Sequence, residues 1–204
     1  MMEGINALVF STADNPFYKL SVSKYAPECV VLDADGTVLA IINRTNKKDD
    51  VLQLTYGDDF RDPDLKINDD KKIRIALSAV KKPGISIFLL IRELDTTGKP
   101  VKDSDFDRAW FRISNEETNQ TLDYSLISKV DKPEDYQPTF VKEGDEEGTA
   151  HPNPLTYLHG RIYLDESNNW AFESLKKVFQ QKDQPNLVQT LSTLYGKTME
   201  EVSE

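Results

Sequence analysis

The chain has 204 residues, with 35 acidic against 25 basic and a formal charge of −10, which argues against nucleic acid or an anionic membrane surface as a partner, because both repel an acidic chain before specific contacts form. Its length suits one domain with appendages rather than two full-sized domains, and its one cysteine, Cys29 in an apolar run, leaves no internal disulfide and reads as a small buried hydrophobe. No stretch approaches the roughly 20 apolar residues of a bilayer span, and the N-terminus lacks a basic segment followed by an apolar run, so a soluble cytoplasmic protein is expected.

Residues 29–42 form two apolar runs around Asp35-Gly36, a dipeptide that supplies positive φ at both centres of a tight turn, so a hairpin is expected there. Val51, Leu52 and Leu54 mark a short strand that ends at Gly57. From there to Asp70 the chain is dense in aspartate: Gly57-Asp58-Asp59, Asp62, Asp64 and Asn68-Asp69-Asp70. Short carboxylates on a flexible turn are the donors a hard cation such as Ca2+ takes; the same composition also occurs as plain solvated surface.

Between Lys71 and Val80, Ile73, Ile75 and Leu77 alternate with Lys72, Arg74 and Ala76, the period of a half-exposed strand. Residues 85–91 are almost continuously apolar and read as a central strand covered on both faces. Ala109, Phe111 and Ile113 alternate with Trp110 and Arg112, and the polar turn at Asn115-Glu116-Glu117 leads to Thr121, Leu122, Tyr124 and Leu126, a second hairpin signal.

Residues 131–154 interleave four prolines with an acidic run and read as an inserted loop, since such composition lacks the apolar surface that offsets backbone ordering. Residues 155–164 and 170–172 flank a polar turn, again strand, turn, strand. Turn signals at this frequency indicate an all-β chain. The end differs: Asn186 can cap a helix whose apolar residues Leu187, Val188, Leu191, Leu194 and Tyr195 form one stripe, which packs on its own domain or docks a protein partner.

Catalytic signatures are sparse. Asp33-Ala34-Asp35-Gly36-Thr37 after an apolar strand looks like the first motif of haloacid-dehalogenase-type phosphatases, with Asp33 as nucleophile and Asp35 as general acid. That chemistry needs a parallel doubly wound sheet, and residues 36–57 offer strands and no crossover helix. An EF-hand fails for want of oxygen ligands after Gly36. His151 and His159 lack zinc-site spacing, and neither a Gly-x-Ser-x-Gly elbow nor a glycine-rich phosphate loop occurs. No enzyme is expected.

From about Tyr25 to Phe172 the chain resembles the tellurium-resistance TerD-like family of β-sandwich stress proteins. The resemblance rests on the 30–42 hairpin, Gly57-Asp58-Asp59, Asn68-Asp69-Asp70 before the next strand, and the central strand 85–91. It rests above all on 111–121 with Tyr124-Ser125-Leu126, then Gly160-Arg161-Ile162-Tyr163 and Trp170-Ala171-Phe172. It implies an antiparallel β-sandwich, here over residues 1–180; the insertion at 131–154 stretches the family spacing, and the helical extension at 181–204 lies outside the usual domain. It also implies Ca2+ bound by acidic loops at one end of the sandwich, with Asp58, Asp59, Asp69 and Asp70 as candidate ligands. Lys24 and Ala26 stand where the family brings two further carboxylates, so at least one inherited site is expected to be lost. The reading that follows is a non-enzymatic scaffold or protein-interaction module in a larger assembly, ciliary or cytoskeletal, with a Ca2+-binding stress-response protein as the alternative.

Overall fold

Two antiparallel sheets face each other across a core of aliphatic side chains, and a short helix lies on the outer face of one of them. The computed structural model describes residues 2, 5–13, 25–60, 69–80, 82–93, 110–126, 155–165, 167, 169–180 and 187–195. The strands are β1 (Leu8–Ala13), β2 (Tyr25–Leu32), β3 (Val38–Ile42), β4 (Lys48–Asp49), β5 (Leu54–Phe60), β6 (Asp69–Ile75), β7 (Ser86–Glu93), β8 (Trp110–Asn115), β9 (Thr121–Leu126), β10 (Leu155–Leu164) and β11 (Trp170–Gln180), followed by helix α1 (Leu187–Tyr195). One sheet has the order β4-β5-β6-β1-β8-β9 and the other β11-β10-β7-β2-β3.

The expected all-β sandwich is what forms, and the pattern of each strand explains its place. On β7, Ile87, Leu89 and Ile91 enter the inter-sheet core, where they meet Phe10, Ile73 and Phe111, while Phe88 and Leu90 point the other way into a second apolar cluster. A strand covered on both faces shows no polar alternation, which is why residues 85–91 read as a continuous run. The outer cover is α1. Leu187 and Leu191 are buried against Val30, Leu32, Phe88, Leu90 and Leu158, with Val188 and Tyr195 packed at the margin.

Of the two courses open to the helix stripe, its own domain or a partner, it takes the first at Leu187, Val188, Leu191 and Tyr195, which lie on the chain's own sheet; the side chain of Leu194 lies outside the described residues. Ser192 Oγ donates 2.8 Å to the Gly36 carbonyl, and the Tyr195 ring packs tilted against Phe88 at 5.0 Å, beneath the Arg161 guanidinium, also at 5.0 Å. Leu191→Ala is expected to cost about 2–5 kcal/mol, the range for truncating a fully buried leucine side chain to alanine, read as a fall in the urea midpoint.

Other expectations need correction. β1 carries no clear sequence signal, yet it lies between β6 and β8 in the middle of its sheet. The strand expected to end at Gly57 continues to Phe60, so Asp58 and Asp59 belong to β5 and not to a loop, while Asp69 and Asp70 open β6. At the β2–β3 turn only Gly36 has positive φ, at 84°, so the connection is longer than a two-residue turn with both centres left-handed. The insertion at 131–154 lies outside the described residues.

Candidate functional site

The acidic end of the β5–β6 hairpin is built by register. Asp58 stands opposite Lys71 and Phe60 opposite Asp69, which sets position 59 opposite position 70. Strand parity then divides the four aspartates: positions 58 and 69 share the face of the buried Tyr56 and Ile73, and positions 59 and 70 share the other face with Gly57 and Lys72. The topology brings all four candidate positions to one end of the β5–β6 hairpin.

At the two positions where the resemblance implies further ligands, the chain differs. Ala26 is buried in β2 opposite Arg92, whose guanidinium pairs with Glu28 at 2.8 Å; Lys24 lies outside the described residues. An alanine and a neighbouring guanidinium supply no oxygen donor there.

The phosphatase-like motif is consumed by turn structure. Asp33 accepts the Thr37 N–H at 3.0 Å and the Lys82 ammonium at 2.9 Å, and Asp35 accepts the same Thr37 N–H at 2.9 Å. Hydrogen bonding with Asp33 and with Thr37 holds the Asp35 carboxyl down at about 2. Both neighbours of β2, namely β3 and β7, run antiparallel to it. The βαβ unit on which such phosphatases depend is therefore excluded at Asp33, and that alternative falls. Burial, with the charge of Glu28 adding to it, pushes the Cys29 thiol well above its ordinary value, consistent with the inert buried residue expected.

A pair that spacing does not reveal lies between the sheets. His159 on β10 is 1% exposed, ringed by Phe10, Phe111 and Phe172 with centroids at 6.0, 4.5 and 5.8 Å. Its Nε2 sits 2.8 Å from Oδ2 of Asp123 on β9. The contact has ion-pair distance but lies off a hydrogen-bond line, and Nδ1 has no hydrogen-bond partner among the described residues. Burial alone raises the Asp123 carboxyl, but its contact and charge interaction with His159, helped by the Tyr124 backbone and Lys176, outweigh this and hold it below the ordinary value. His151 lies outside the described residues. Among those described, no three His, Cys, Asp or Glu side chains converge as metal ligands.

The two facing antiparallel sheets have the fold of TerD-like proteins. The chain is similar to the crystal structure of a homologue of telluride resistance protein (TerD), SCO6318 from Streptomyces coelicolor A3(2), with a TM-score of 0.53 at 9% identity over 86% of this chain and 91% of that one. It is also similar to SAV2460, described as a protein of unknown function, with a TM-score of 0.50 at 12% identity over 96% of this chain and 100% of that one. No family model matches the chain, and no curated protein matches it in sequence. At these identities the likeness speaks for the fold. No described helix is long and apolar enough to cross a membrane.

Proposed function

We propose that the chain is a non-enzymatic Ca2+-binding protein of the tellurium-resistance stress-response type, with its working site at the acidic end of β5 and β6. The observation that carries this is the register of β5 against β6, which brings positions 58, 59, 69 and 70 to one end of the hairpin. Ca2+ takes six to eight oxygens in adaptable geometry, so a pair of carboxylates on adjacent strands supplies the charge while carbonyls and water complete the shell. Asp59 and Asp70 are the proposed primary ligands, and Asp58 and Asp69 are secondary. With Ala26 in place of a further donor, one site is expected rather than a cluster.

The scaffold reading keeps less support, because the helix stripe on which it leaned is occupied by the chain's own sheet. Calorimetric titration of the full chain with CaCl2 tests the Ca2+ reading. Saturable heat with a stoichiometry near one is expected, abolished by Asp59→Ala with Asp70→Ala and only weakened by Asp58→Ala with Asp69→Ala. Absence of heat at millimolar Ca2+, or equal loss from both double variants, contradicts the assignment.

A further inference from the structure

Strand β3 forms one edge of the five-stranded sheet. Residues 38–42 carry no charged side chain, and Val38 and Leu39 are 39% and 37% exposed, side by side. The other three terminal strands carry charges: Lys48 and Asp49 on β4, Asp123 on β9, and Glu173, Lys176 and Lys177 on β11. Charged edges discourage association between copies, and β3 has none.

Main-chain pairing along this edge is restricted. Leu39 is the extra residue of a bulge, since Leu32 stands opposite Val38 and Val31 opposite Ala40, and the Ile41 carbonyl already accepts Asn46 Nδ2 at 2.6 Å. What β3 presents is therefore an apolar side-chain contact, with charge of opposite sign at its two ends. Exposed Asp35 precedes it, with Asp33 already engaged by Lys82, and exposed Arg44, Lys47 and Lys48 follow it. Lys48 is engaged with Asp50 at 3.2 Å and Lys47 lies 5.9 Å from the Tyr56 ring, whereas Arg44 makes no ion pair among the described residues.

An antiparallel approach of a second copy, about a two-fold axis near Ala40, sets position 36 opposite 44 and 35 opposite 45. Each acidic turn then meets the other copy's basic turn. Beside the acidic turn lies a recess of about 310 Å³, between the β2–β3 turn and α1, lined by Asp35, Thr37, Val38, Val188, Gln189 and Ser192. Its chemistry suits an arginine, with methyls for the stem and a carboxylate, hydroxyls and an amide for the planar head.

We infer that the chain forms a two-fold dimer through β3, with the exposed Val38 and Leu39 of each copy flanking the axis and Arg44 of each copy entering the Asp35 recess of the other. The contact is isologous, so each surface meets itself, and it offsets locally the repulsion between two chains of charge −10.

Sedimentation equilibrium of the full chain tests this. The wild type is expected at twice the 23.2 kDa of one chain. Arg44→Asp and Asp35→Arg each place like charges at both contacts and are expected to weaken dimerisation by about tenfold or more, since like-charge juxtaposition at an interface costs several kcal/mol. An equimolar mixture of the two variants restores opposite charges at both contacts, and a heterodimer is expected. Thermal melts report that each variant is folded, and Arg44→Asp, in an exposed turn, carries the test if Asp35→Arg unfolds. A wild type at single-chain mass, a folded Arg44→Asp that dimerises as the wild type does, or folded variants that fail to pair with each other overturn the proposal.

Discussion

Gly160→Ala is expected to cost about 3 kcal/mol, at the upper end of the range for overpacking a filled core, and to leave a protein that unfolds at markedly lower urea or collects in the insoluble fraction. A β-carbon at position 160 would sit 2.5 Å from Phe172 Cε2 and 2.6 Å from the Glu173 carbonyl oxygen. The ring could turn, but the carbonyl belongs to β11, where Gly160 stands opposite Ser174 and Arg161 opposite Glu173, so relief requires the β10–β11 ladder to open. Phe172 in turn touches His159, the extra residue of the β10 bulge. One methyl group therefore disturbs the strand pairing and the buried imidazole together. Full wild-type stability in this variant would mean that the close approach of β10 and β11 is wrong.

The second large effect concerns acid. Asp123 has its carboxyl held below the ordinary value in the folded state, so its ionised form contributes stability that is fully present above its unfolded value, about 3.9, and is lost as pH falls through the lower folded value. Below that window His159 is left buried beside a neutral carboxyl. Asp123→Asn is expected to be less stable than the wild type at pH 7, with the gap closing as pH drops below about 4. Urea unfolding at a series of pH values measures this. A gap that stays constant from neutral to acid pH would show that the pair is a packing contact without electrostatic content.

Much of the sandwich was legible because alternation and turn chemistry agree. The hairpins β2–β3, β8–β9 and β10–β11 appear as apolar or alternating runs around turn residues, and the doubly covered β7 as a continuous apolar run between them. β1 escaped because both of its faces are buried: Leu8 and Phe10 enter the core, while Val9 and Ser11 on the other face are only 8% and 0% exposed, so a short run of mixed polarity shows no period. Asp58 and Asp59 looked like loop because aspartate is a poor strand former; pairing of β5 with β6 overrides that preference.

At the candidate site the resemblance pointed to the four aspartates, and what the sequence alone does not give is the register that places their positions at one end of the β5–β6 hairpin. The His159–Asp123 contact joins strands of different sheets, so no sequence spacing encodes it. One trace of it is present: Tyr157 and Ile162 both face the core, which an unbroken strand forbids for an odd spacing and a bulge between them permits.

The proposed function rests on a cation held where Asp59 and Asp70 face each other across β5 and β6. Backbone amide NMR of the full chain during a CaCl2 titration addresses this most directly. Saturable shifts concentrated at residues 57–60 and 69–72 are the predicted result. A spectrum in which those amides stay fixed while shifts occur elsewhere, or in which nothing moves at millimolar Ca2+, would contradict it.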